Sequence, residues 1–138
     1  LIAAGSHFTR AAYQASGMEL SNVSMRALAA LEREPGLRIG ELAAREGIRQ
    51  PSMSQAMKRL VDDGYAARHT ADDDARATAL TITDAGRKVL HSYRAAAAEA
   101  LAPVFEPLKP EDVATLKRTA ELLPELTADL KQRTGGRA

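Results

Sequence analysis

The sequence predicts a mainly α-helical chain carrying one small β-hairpin, an α+β arrangement in which helix far outweighs sheet. Three observations lead there. The apolar content is dominated by Ala and Leu, with no Trp and only two Phe; Ala, Leu, Glu, Lys and Arg are strong helix formers. Apolar residues recur at helical spacing through most of the chain. Only residues 65–83 switch to an extended, alternating pattern.

The first segment, SHFTRAAYQAS at 6–16, predicts part of a helix that ends near Gly17. The second offers Ser21 as an N-cap, then Val23, Ala27, Leu28 and Leu31 on one face, and stops at Pro35-Gly36. The third, RIGELAAREG, places Ile39, Leu42 and Ala43 together and ends on Gly47, a natural left-handed terminator. Ile48, Arg49 and Gln50 separate that glycine from Pro51, which suits the first turn of a fourth helix running to about Asp63. YAARH and ATALTIT then predict two strands, with Leu80 and Ile82 on one face, joined by the polar turn TADDDAR. Thr83 and Asp84 can cap a long helix, DAGRKVLHSYRAAAAEALAPVF. After EPLKPED, Pro110 can open a last helix to about residue 132, which Pro124 should kink or split.

A chain of 138 residues fits one domain, 1–138, able to bury roughly two-thirds of its unfolded surface. The chain opens LIAAGSH without Met, so a few leading residues are expected to be missing. Its apolar runs are far short of a membrane span, and no cleavable signal stands out. Absence of cysteine excludes disulfides and thiolate chemistry, and permits a cytoplasmic address.

Residues 49–59, RQPSMSQAMKR, hold three cations and no anion. Projected at about 100° per residue, Met53, Ala56, Met57, Leu60 and Val61 share one face of this helix. Pro51, Ser52, Ser54, Gln55, Lys58, Arg59 and Asp62 share the other. The first face is an anchor. The second has the chemistry of a helix inserted N-terminus first into a DNA major groove: amides and hydroxyls for phosphate, Lys and Arg to neutralise it, Gln or Arg for base edges. A carboxylate there would repel phosphate. With the helix before it and the short turn, this completes a helix-turn-helix, and the hairpin becomes a wing with Arg76 near its tip. From Arg38 to Arg76 seven cations face seven anions. Non-specific attraction to DNA should therefore be weak, and specific contacts must carry more of the affinity.

The order of elements, the string ELAAREGIRQPSMSQAMKRLVDDGYAAR, the Asp74-Ala75-Arg76 triplet and ITDAGR at 82–87 together resemble the MarR family of winged helix-turn-helix transcriptional regulators over nearly the whole chain. The resemblance implies a homodimer held by interlocking terminal helices, here 1–17 and 84–132, with a DNA-binding lobe over 21–83. It further implies a repressor of a palindromic operator, in many members released by a small aromatic acid. Carried over, Arg49, Gln50, Pro51, Ser52, Ser54, Gln55, Lys58 and Arg59 fall on the turn and recognition helix. Arg76 matches the minor-groove arginine of the wing, and Asp74 the carboxylate that orients it, so the guanidinium loses less entropy on docking. Two departures from the family pattern stand out: Asp72 and Asp73 make the wing acidic, and Lys109 stands where relatives place a Ser or Thr cap.

For an effector, the family position points to His7, Arg10 and Met25, with His7 or Arg10 pairing an anionic ligand. The competing reading of Met25 is core, and of Arg10 a solvated or inter-subunit charge. His7, His69 and His91 lack a second ligand at helical spacing, so neither a metal nor a cofactor is expected. No Gly-rich phosphate loop, nucleophile–base pair or carboxylate pair argues for an enzyme. The alternative function is a winged-helix module that binds protein rather than DNA, kept open by the neutral lobe.

Overall fold

The computed structural model describes residues 1–71 and 74–135, with side chains at 1–69 and 78–133. Six helices and one hairpin follow in the order α1 (Ile2–Ala15), α2 (Asn22–Arg33), α3 (Ile39–Glu46), α4 (Gln50–Asp62), β1 (Ala66–Ala71), β2 (Asp74–Ile82), α5 (Asp84–Phe105) and α6 (Pro110–Gly135). The chain divides into two compact units, Leu1–Ala100 and Leu101–Ala138.

In the first unit, α2, α3 and α4 pack around one core with the hairpin and the start of α5. Leu28, Leu31, Leu42, Met53, Met57, Leu60, Leu80 and Leu90 are its largest fully buried side chains. Complete burial of one such side chain stabilises the fold by roughly 1.5–3 kcal/mol, so these eight residues dominate the unit's packing energy. Ser21 caps α2 as expected, its hydroxyl accepting from the Ser24 amide at 3.1 Å. The first helix, of which 6–16 was expected to be a part, runs from Ile2 to Ala15. Tyr13 of α1 meets Tyr93 of α5, ring centroids 6.0 Å apart.

β1 and β2 pair antiparallel from Ala66↔Ile82 to Thr70↔Thr78, and then the register jumps to Ala71↔Asp74. The second strand therefore reaches back to Asp74, into residues expected to form the turn. Leu37 adds a bridge to Leu80: the Leu80 amide donates to the Leu37 carbonyl at 2.9 Å, and the Gly36 amide to the Leu80 carbonyl at 2.8 Å. This short edge fastens the α2–α3 connection to the hairpin.

The start of α5 is tied to the end of α4. The Thr83 hydroxyl accepts from the Gly86 amide at 3.1 Å and donates to the Gly64 carbonyl at 2.7 Å. The second unit holds the end of α5 and α6. Pro124 lies inside a single helix running from Pro110 to Gly135, so of the kink or split expected there, the split does not occur. The Lys109 carbonyl accepts from Asp112 and Val113, opening α6 through backbone groups.

Candidate nucleic-acid interface

The site is built on α4 and the turn before it. Gly47 terminates α3 in the left-handed conformation, φ 61°, where a Cβ would be strained. The Ile48 amide closes the turn onto the Ala43 carbonyl at 2.9 Å, the wider loop of a Schellman ending. Three residues later the chain is helical again, with Pro51 in the first turn and no acid there. The N-cap, Arg49, makes no side-chain cap bond. The first-turn amides of α4 thus end a helix whose positive pole is not offset by a carboxylate.

The two faces of α4 separate as the sequence predicts. Met53, Ala56, Met57 and Leu60 are buried, and Val61 packs partly buried against them. Arg49, Gln50, Pro51, Ser52, Gln55, Lys58 and Arg59 are exposed, and Ser54 is half-buried. Hydroxyls, an amide and two cations are therefore presented outward by a helix locked through its methionines. Such a surface can donate to phosphate oxygens and reach base edges.

Two ionic arrangements flank this face that sequence reading missed. Lys58 is bonded to Asp62 one turn on, Nζ to Oδ2 2.6 Å. The i,i+4 spacing was visible in the sequence, but spacing alone does not reveal a formed pair. Behind the turn, Glu46 is clasped by two arginines of α2, Arg26 at 3.1 Å and Arg33 at 3.3 Å. Arg26 also donates to the Glu46 backbone carbonyl. That clasp satisfies an orphan carbonyl at the end of α3 and fixes where the turn toward α4 starts. It joins residues 20 apart, and no local pattern announces it. Arg45 pairs with Glu34 through both guanidinium nitrogens; this bond raises the Arg45 pKa further.

On the wing, Arg68 and His69 are exposed, and the His69 ring bonds the Thr81 hydroxyl at 2.8 Å. The Asp74 and Arg76 backbones lie in β2, with Arg76 inside the register jump. Their side chains, and all of Asp72 and Asp73, lie outside the described residues.

The three residues considered for an effector differ in exposure. His7 and Arg10 are exposed on α1. Met25 is 2% exposed and belongs to the core with Leu28 and Leu31. It faces inward from α2, where helical spacing aligns it with the other core residues, as the competing core reading of this position has it. Among the described residues no group of three His, Cys, Asp or Glu could hold a metal ion. His91 instead approaches Glu32 of α2 at 3.5 Å, beside Arg94 at 2.7 Å. The Arg94 hydrogen bond holds the Glu32 carboxyl below its ordinary pKa. Nor is any helix among the described residues long and apolar enough to cross a membrane.

Comparison with known proteins places this geometry. The sequence profile of the MarR family matches residues 16–77, from the end of α1 into the wing. An uncharacterized HTH-type transcriptional regulator of Mycobacterium leprae is 31% identical over 111 residues, covering 80% of this chain and 76% of the relative. The crystal structure of a MarR family transcriptional regulator from Silicibacter pomeroyi is similar at 29% identity and a TM-score of 0.57, covering 83% of this chain and 75% of that one. A MarR transcriptional regulator from Methanosarcina mazei shares the fold at a TM-score of 0.75 with 21% identity, over 92% and 95% of the two chains. Family members are transcription regulators and not enzymes. On the profile match and the mycobacterial relative together, this chain belongs to the MarR family of DNA-binding transcriptional regulators.

Proposed function

We propose that the chain is a cytoplasmic, homodimeric repressor that binds a two-fold symmetric operator, each subunit inserting α4 into a major groove. One observation carries this reading: Ser52, Gln55, Lys58 and Arg59 are exposed on a helix whose opposite face is anchored by the buried Met53, Ala56, Met57 and Leu60. Arg49 and Gln50 open the same surface. The family resemblance assigns Arg76 of the wing the minor-groove contact, and Asp74 the carboxylate that orients it. The dimer draws support from exposed apolar side chains on the terminal helices. Ile2 and Phe8 lie on α1, and Leu116, Leu123, Leu126 and Leu130 recur along α6. Exposed apolar patches of this kind mark association surfaces.

The test is selection of duplexes from a random pool, followed by fluorescence anisotropy on the winning site. The expected product is a two-fold symmetric sequence whose half-sites are about one helical turn apart, roughly 34–36 Å. Arg76→Ala should weaken binding by about 1–3 kcal/mol, and Gln55→Ala should relax preference at one base position. A pool that converges on no symmetric site would count against the dimeric operator.

The equal numbers of cations and anions between Arg38 and Arg76 favour a second reading, a winged-helix module whose partner is a protein. The two separate on ionic strength. The repressor must lose duplex affinity steeply as salt rises, whereas the module shows no salt-dependent duplex binding.

A further inference from the structure

We propose that Arg26 is a positioning residue for base recognition: acting through Glu46, it fixes the direction in which the chain enters α4. The inference rests on the reading that the exposed face of α4 meets DNA, and adds to that face a residue acting from α2.

Three observations point to it. Glu46 closes α3 one residue before Gly47, and its carboxylate is only 13% exposed between Arg26 at 3.1 Å and Arg33 at 3.3 Å. Those two arginines are about two turns apart on one side of α2, a helix held in the core by Met25, Leu28 and Leu31. Arg26 also grips Glu46 twice, at the carboxylate and at the backbone carbonyl. Its planar fork therefore constrains the orientation of that peptide as well as its place. Finally, the buried anchors of α4 begin only at Met53, while Arg49, Gln50, Pro51 and Ser52 are exposed. The first turn of α4 has no buried side chain of its own, so it takes its direction from the end of α3 that Arg26 holds.

The consequence concerns sequence reading more than attraction. Hydrogen bonds to base edges weaken steeply with misalignment, whereas the attraction of cations to phosphate is independent of sequence. A first turn free to swing would keep most of its pull on the duplex and lose its register on the bases. Arg26 thus contributes more to operator affinity than to random-duplex affinity.

The test is anisotropy on operator and random duplexes, read as the ratio of the two affinities. The proteins are the wild type, Arg26→Ala, Arg26→Lys, Glu46→Gln, Arg26→Ala/Glu46→Gln and Glu34→Gln. A smaller folded fraction scales both affinities equally and cancels in the ratio, so a merely stabilising role would not move it. Arg26→Ala and Glu46→Gln should each lower the ratio about fivefold or more, the discrimination carried by one base contact. Arg26→Lys keeps the charge but loses the fork, and should lower it as well. The double variant should fall no further than the weaker of its two single variants, since both break one contact. Glu34→Gln removes the same charge as Glu46→Gln from the half-exposed pair with Arg45, and should leave the ratio unchanged. Should Arg26→Ala not fold, Arg26→Lys and Glu46→Gln carry the comparison. Affinities for both duplexes that fall in Arg26→Ala and rise in Glu46→Gln would overturn the inference by reducing it to net charge. A ratio kept in full by Arg26→Lys, or an operator affinity that falls with the ratio intact, would overturn it too. If the wild type bound no duplex in a salt-dependent manner, the DNA-facing reading would fail first and take this one with it.

Discussion

Gly86 lies against the backbone carbonyl of Tyr65 so closely that a Cβ at position 86 would overlap the oxygen, and would also meet the Ile82 side chain at 2.9 Å. The contact brings the first turn of α5 onto the start of the hairpin, where the Thr83 amide donates to that same Tyr65 carbonyl at 3.1 Å. Gly86→Ala is therefore expected to destabilise the chain by about 1–3 kcal/mol, since the obstacle is backbone and cannot rotate away. Thermal unfolding followed by circular dichroism reads this directly. An unchanged midpoint would mean that α5 can shift at no cost.

The two faces of α4 should respond oppositely to truncation. Met57→Ala removes a side chain with no exposed surface and is expected to cost about 2–5 kcal/mol of stability. Ser52→Ala and Gln55→Ala should stay within about 0.5 kcal/mol of the wild type while losing duplex affinity. Denaturant unfolding and anisotropy on the same samples separate the two effects. Comparable stability losses on both faces would contradict the division into anchor and contact surface.

Glu32 supplies a pH dependence whose sign follows from its environment. The Arg94 hydrogen bond depresses its folded-state pKa, so the protonated form is disfavoured by folding. The stabilisation is complete above the unfolded carboxylate value, roughly 4.3, and is lost as the pH falls toward the depressed folded value. Comparison of wild type with Glu32→Gln across pH 3–7 should show a stability gap that is widest near neutrality and closes on acidification. A gap that grows toward low pH would contradict the pairing.

The exposed leucines of α6 give the dimer its own test. Leu123 and Leu126 are 41% and 57% exposed, so replacing both with Glu should leave the helix intact. If they lie in a homodimer interface, the double variant should raise the dissociation constant at least about tenfold, as loss of central apolar contacts does. Sedimentation velocity over a concentration series measures it. The same association constant in both proteins would exclude this face from the interface.

The parts of the fold readable in the sequence are those written in local signals. Ser21, Gly47, Pro51 and Thr83 each mark a helix boundary by what one side chain or one φ angle can do, and all four act in the structure as those signals imply. The buried and exposed faces of α4 follow from helical period alone. What stayed hidden is non-local or runs against propensity. The Leu37–Leu80 bridge pairs a residue between a Pro-Gly turn and a helix with a strand far along the chain, and a single residue carries no period. β2 extends back over Asp74 because pairing with Ala71 outweighs the poor strand preference of aspartate. Met25 was open to two readings because inward spacing on a helix does not separate a core residue from one lining a ligand cavity.

The central claim is that the Ser-Gln-Lys-Arg face of α4 touches DNA, and proximity tests it most directly. Because the chain has no cysteine, Gln55→Cys introduces a unique thiol on that face, and Glu121→Cys places one on α6 as a control. Each is incubated with a selected duplex carrying a thiol-tethered base, and the disulfide-linked complex is quantified on a non-reducing gel. The account predicts efficient linkage at position 55, suppressed by excess unmodified operator, and only background at position 121. Linkage at position 55 no greater than at position 121, under conditions where the duplex is bound, would contradict it.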